Sequence, residues 1–365
     1  MHRKKIIIML QKLLISMPMM VCLFWGVFFF IRLFRRDNER RVTCMLALFF
    51  GAATVLYLDH WMYFSGIVRV WGEWSYGVVN LCVYPLYYAY LRALTRTNMG
   101  RHELSALFLP ALMAVALFPI GRYTHLLTDA NTFLIIRLCF MVQVIWVLVR
   151  GYRLLLRTIH RMDNTYSDDR SRLLVPTRVS LVLFGMTSAV SMILNFLGRD
   201  FFAQEAPVAA PAVVMSILLF GLGFVAAHTV IPLETVGEEL TGEGLQVTDE
   251  ESDALIHHID TIMREKMLYT NAGLTIQDLA TAVNSNRTYV SNAINRTYGV
   301  SFSQYVSRQR VEYAKLILRD VRYKTDKAAI SDAISLSGFA SDQTFYRVFK
   351  DLTGTTPLQY RKSNG

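Results

Sequence analysis

The sequence predicts an all-α protein in two parts: a polytopic transmembrane helical bundle, then a soluble domain in which two pairs of short helices are joined by a long one. Three observations predict it. Hydrophobic residues make up 53% of the 365-residue chain, and the apolar runs stop near Ile231. Before that point, stretches of about 20 apolar residues recur, the length that crosses a ~30 Å hydrocarbon core. Beyond it, apolar positions fall at i, i+3, i+4 and i+7 between capping residues, the pattern of short amphipathic helices.

Seven stretches qualify as spans: 13–31, 42–64, 70–91, 104–120, 132–149, 177–197 and 207–231. Backbone groups in lipid must bond internally, so each is expected to be helical. The fourth is interrupted by Pro110 and Pro119. Trp61, Trp71 and Trp74 lie near run ends, where interfacial belts form. The short loops set the orientation. The odd loops hold 15 arginines, among them Arg35, Arg96 and Arg157, against 3 in the even loops, Arg69, Arg122 and Arg199. The odd loops and the C-terminal tail are therefore expected in the cytoplasm and the N-terminus outside. The opening "MHRKKIIIMLQK" opposes export through Arg3, Lys4, Lys5 and Lys12. Three readings of it stand: a true start at Met17 or Met19, an interfacial amphipathic segment, or a signal peptide that lacks a clear cleavage site.

Ionisable residues at membrane depth are costly and mark functional hypotheses. Asp59, His60, Glu73 and Arg137 all fall toward the outer side, and together they form a candidate sensor pocket. The competing reading is local pairing and snorkelling near the interface. Asn80, Gln143, Asn195 and His228 are read as interhelical hydrogen-bonding groups. Cys22, Cys44, Cys82 and Cys139 sit in apolar runs without a C-x-x-C pair, so they are read as structural thiols rather than disulfides or metal ligands. The chain has no nucleophile elbow, H-E-x-x-H or phosphate loop. No catalytic residue, metal or cofactor is expected, and an enzyme is not the reading.

Residues 232–253, "PLETVGEELTGEGLQVTDEESD", are acidic and rich in glycine. They read as a flexible linker spanning on the order of 25 Å. The domains are thus expected at 1–231, 232–253 and 254–365. From Ile262 onward the tail has 15 basic and 8 acidic residues, a surplus suited to a polyanion.

Thr275 and Asp278 set up the first helix of the tail, with Ile276, Leu279, Ala280 and Val283 on its inner face. Asn286 caps a second helix whose Val290, Ala293 and Ile294 face inward, and Gly299 ends it. That is helix-turn-helix geometry. Residues 302–319 form a connecting rod about 25 Å long, with Tyr305, Val306, Val311 or Tyr313, Ala314, Ile317 and Leu318 at helical spacing. The motif then repeats. Ile330, Ala333, Ile334 and Leu336 mark one helix, which Gly338 ends. Ser341 caps the next, with Phe345, Val348, Phe349 and Leu352 as its buried stripe; Gly354 stops it, and a closing helix follows from Pro357. The two reader helices begin 55 residues apart. Readers so joined suit successive major grooves about 34 Å apart.

The tail from about residue 260 to 362 resembles the AraC/XylS-type DNA-binding domain. The second unit carries the resemblance through Gly338-Phe339, Phe345, Phe349-Lys350, Gly354, Thr356-Pro357 and Tyr360-Arg361. The first carries it through Leu279-Ala280, Tyr289-Val290, Gly299, Phe302, Arg310 and Ala314. Two departures stand out: Ala333-Ile334 where the family usually has isoleucine then alanine, and Ile294 where it often has phenylalanine. The stripes leave Arg287, Thr288, Ser291 and Asn292 outward on the first reader, and Gln343, Thr344, Tyr346 and Arg347 on the second. Asn and Gln suit adenine's major-groove edge and Arg suits guanine's. Lys350 and Arg361 are assigned to phosphates.

The resemblance implies a sequence-specific transcription regulator, and the apolar runs and loop charges place it in the bacterial inner (cytoplasmic) membrane. Its expected partners are double-stranded promoter DNA, the lipid bilayer, RNA polymerase, a second copy in a homodimer, and a small-molecule or protein signal. The rival reading is a transporter or membrane enzyme with a DNA-binding tail.

Overall fold

The computed structural model describes residues 2–35, 39–67, 73–97, 100–124, 129–168, 170–197, 209–229, 249–323 and 325–364. Most of the acidic linker lies outside them. Regular structure among the described residues is helical, with one isolated antiparallel bridge between Tyr166 and Thr275. The chain divides into two compact units, Met1–Leu156 with Val175–Ile231, and Arg157–Leu174 with Pro232–Gly365. The second unit thus takes in a segment that the sequence reading assigned to the membrane part.

The first unit holds α1 (His2–Arg32), α2 (Arg40–Ser65), α3 (Glu73–Leu94), α4 (Arg101–Thr124), most of α5 (Asp129–Thr165), α6 (Val175–Leu197) and α7 (Ala209–His228). Every expected span overlaps one of these helices. Five of these helices are long and apolar enough to cross a membrane among the described residues, namely α1, α2, α5, α6 and α7. In α4 the described apolar residues are Ser105–Leu117. In α3, Tyr76, Tyr84, Tyr87, Tyr88 and Tyr90, with Asn80 and Arg92, dilute the apolar run. Leu13, Phe24, Leu112, Val142, Val182, Phe196 and Ile217 are exposed on these helices.

Inside this unit Tyr87 stacks on Phe184 with ring centroids 3.6 Å apart. Gly223 lets α7 approach α1, because a Cβ there would meet the Trp25 ring at 2.5 Å. Gln143 on α5 donates from Nε2 to the carbonyl oxygens of Leu81 on α3 (3.1 Å) and Leu107 on α4 (2.9 Å). Pro85 has no N–H, so the Leu81 carbonyl four residues back lacks its helical donor, and Gln143 supplies one. Of the proposed sensor residues, Asp59 is buried and His60 and Arg137 are half-buried, while the Glu73 side chain lies outside the described ones. The His60 ring sits 4.9 Å from Phe64 and 6.0 Å from Tyr76.

The second unit holds the end of α5, a 3-10 turn at Arg170–Leu174, α8 (Asp249–Glu265), a 3-10 turn at Leu268–Thr270, and α9 to α14. The latter are α9 (Ile276–Ala282), α10 (Arg287–Tyr298), α11 (Phe302–Arg319), α12 (Asp326–Leu336), α13 (Asp342–Thr353) and α14 (Pro357–Asn364). Helix α8 begins inside the stretch read as linker, at its acidic end. Two cores form. One gathers Ile259, Met263, Leu279, Val290, Ile294, Phe302 and Val306; the other gathers Val311, Ala314, Leu318, Ala329, Ala333, Phe345 and Phe349. The first half of α11 therefore packs into one core and its second half into the other. Leu336 and Leu352, expected inside, are 49% and 45% exposed. Ala329 and Ala333 instead carry the contact of α12, and their small size lets it approach closely.

Candidate nucleic-acid interface

Each reader helix is set at both ends. Asn286 Oδ1 accepts from the Tyr289 N–H at 2.9 Å, and Gly299 closes α10 with φ +65°. Ser341 Oγ accepts from the Thr344 N–H at 3.2 Å, and Gly354 closes α13 with φ +74°. The preceding α9 begins in a capping box, Thr275 with Asp278. Caps of this kind satisfy orphan N–H groups and fix where the helix starts. The readers begin at Arg287 and Asp342.

The two faces are built alike. On α10, Val290, Ala293 and Ile294 are buried, while Thr288 and Asn292 are exposed and Arg287 and Ser291 half-buried. On α13, Phe345, Val348 and Phe349 are buried, Gln343, Tyr346 and Lys350 exposed, and Thr344 and Arg347 half-buried. Three expected readers carry local bonds. Ser291 Oγ accepts from Asn295 at 3.4 Å, Thr344 Oγ1 accepts from Ser341 Oγ at 3.0 Å, and Arg347 pairs with Asp351 at 3.5 Å. The last is an exposed i,i+4 pair that a base or phosphate readily replaces.

Arg361 is different. Its Nε donates to Asp326 Oδ1, Nη1 to the Leu318 carbonyl and Nη2 to the Tyr323 carbonyl, each at 2.9 Å. The guanidinium ties α14 to α11 and α12, so the donors assigned to a phosphate already have partners within the fold.

Arg310, on the rod, is buried to 1% exposure. Its Nε donates to the Tyr269 carbonyl (2.8 Å), Nη1 to the Ser167 carbonyl (3.2 Å), and Nη2 to Ser167 Oγ (2.9 Å) and the Asn271 carbonyl (2.8 Å). Burial pulls its pKa down to about 10, with Asp168 opposing, so it stays protonated at neutral pH. The sequence reading used Arg310 only for resemblance. A signal was available: residues 306, 310 and 314 recur at i+4 on the inward face, so an arginine there had to be buried. Asp260 was also missed. From α8 it accepts from the hydroxyls of Tyr298 and Tyr305, which stack 5.5 Å apart, and so steadies the end of the first reader.

With this geometry in place, residues 279–363 match the sequence family described as Helix-turn-helix domain. The melibiose operon regulatory protein of Escherichia coli strain K12 is 34% identical over 89 residues, 24% of this chain and 28% of that protein. An uncharacterized HTH-type transcriptional regulator of Staphylococcus aureus is 34% identical over 94 residues, 26% of this chain and 12% of that protein. The tail is a helix-turn-helix DNA-binding domain of AraC type. The chain spans less than a third of each of these relatives, so the likeness is confined to this AraC-type domain. No solved structure matches the chain. Among the described residues no cluster of His, Cys, Asp or Glu could hold a metal ion.

Proposed function

We propose that this chain is a membrane-embedded, sequence-specific transcription regulator that couples a signal at the membrane to promoter binding by its cytoplasmic tail. One observation carries the reading: two capped reader helices share a single rod at the end of a chain whose first part exposes apolar helix faces. Arg287, Thr288, Ser291 and Asn292 read one major groove, and Gln343, Thr344, Tyr346 and Arg347 the next. Lys350 contacts a phosphate, and Arg361 supports the fold. The arginine-rich odd loops favour a cytoplasmic tail in the bacterial inner membrane. A second copy pairs on repeated sites, where tethering raises the effective concentration, and RNA polymerase is the downstream partner. Asp59, His60, Glu73 and Arg137 are the proposed sensor residues, facing outward.

Genome-wide occupancy of the full-length protein tests this. A few sharp peaks that disappear in an Asn292→Ala, Arg347→Ala double variant are expected. Broad occupancy without sequence preference would overturn the regulator reading.

A further inference from the structure

Helix α5 runs without a break to Thr165, and the next two residues seat against the AraC-type domain. Tyr166 bridges to Thr275, and the Ser167 N–H donates to the Leu274 carbonyl at 3.1 Å. Ser167 is itself buried and accepts twice from Arg310. Thr275 is the N-cap of the first helix-turn-helix unit. The same arginine lies 5.7 Å from the Phe339 ring, at the turn of the second unit. That turn presses on the first unit: a Cβ on Gly338 would meet the Tyr269 and Thr270 carbonyl oxygens at 2.5 Å. Arg310 thus stands at the junction of the two reader units, and the segment leaving α5 occupies it.

We propose that Tyr166–Ser167 is a strap whose seat is the Arg310 junction, and that it fixes the angle between the two readers. Its contacts to Leu274, Thr275 and Arg310 fall on the loop before α9, its N-cap and the rod, so a seated strap is compatible with open DNA faces. A shift of α5 pulls on Ser167, turns Arg310 among its carbonyl partners and changes how well two rigidly joined readers match two grooves. A signal reaches the tail through α5 as well as through the acidic linker. This deepens the regulator reading and rests on it for the consequence, though not for the seat.

The experiment uses the full-length protein in lipid nanodiscs and a duplex selected from random DNA for tight binding to it. Ser167→Pro removes the N–H given to Leu274 and the hydroxyl met by Arg310. Expected are a several-fold loss of affinity for the selected duplex and faster amide exchange around residues 268–275. Because this variant could disturb folding, a second one carries Tyr166→Cys and Thr275→Cys with the four native cysteines replaced. Oxidation is expected to cross-link it while duplex affinity stays at the native value. Native exchange and native affinity in Ser167→Pro, or failure of the cysteine pair to cross-link, would overturn the strap. Cross-linking and exchange need no DNA, so a protein that cross-links but selects no duplex fails as a regulator while the seat stands.

Discussion

Lys350 and Arg361 are both cations of the second helix-turn-helix unit, and the sequence offers no ground for giving them different work. The fold does. Lys350 is exposed on α13, whereas the Arg361 side chain is 11% exposed and donates to Asp326 and two backbone carbonyls. Replacing Lys350 with alanine should reduce the salt slope of DNA binding by about 1, with little change in melting. Arg361→Ala should leave the slope alone and lower tail stability by about 2–3 kcal/mol, because two carbonyls lose charged donors. Paired salt titrations and thermal melts separate the two outcomes. On the reader face, Arg347→Ala should cost about 1–3 kcal/mol of binding and relax specificity at one base pair. Which residues of α10 and α13 face outward was legible because the helical stripe divides inward from outward residues. Arg361 was not, since nothing local says that α14 folds back onto the carbonyl ends of α11 and of the turn after it.

At the scale of elements, caps and glycines carried the sequence reading furthest. Thr275, Asn286, Ser341, Gly299 and Gly354 all act where their chemistry requires. Helix α8 was harder to see, because its acidic start continues the linker composition and only Ile256, Ile259 and Met263 mark its buried side. Its Asp260 holds the end of α10 and the start of α11. Burial, then the bond to Asp260, raises the Tyr298 pKa to about 12 from 10.0 and pushes Tyr305 up further. A raised tyrosine pKa favours the folded state while the hydroxyl keeps its proton. The stability it brings is whole below about pH 10 and is lost as pH rises through about 12. Ultraviolet difference titration should place Tyr298 and Tyr305 among the late-ionising tyrosines of the chain, and Asp260→Asn should move both earlier. Gly338→Ala is the sharper element test. With φ +80° and two carbonyl oxygens 2.5 Å from any Cβ, it should strongly lower the melting point of the second unit, without touching a reader.

At the scale of the molecule, the two parts of the chain were legible from where the apolar runs stop, but the number of crossings was not. Among the described residues, five helices are long and apolar enough to cross, and the tyrosines of α3 dilute its apolar run. The charge pattern favours seven. Five and seven crossings agree on the two ends of the chain and differ at the loop between α3 and α4, which carries Arg92, Arg96 and Arg101. Gln143 bears on the choice. It lies within the apolar part of α5 and is bonded to carbonyls in the interiors of α3 and α4. A glutamine at that depth needs partners, and so does the carbonyl that Pro85 leaves open. Each meets the other's need if α3 and α4 run alongside α5 through the hydrocarbon. The proposed seven crossings would put Arg96 on the same side as the AraC-type domain. In a background without native cysteines, Arg96→Cys should resist a membrane-impermeant maleimide in intact cells and react once the membrane is opened, while Arg69→Cys should react from outside. Labelling of Arg96→Cys in intact cells would return α3 and α4 to a pair that enters the bilayer without crossing it.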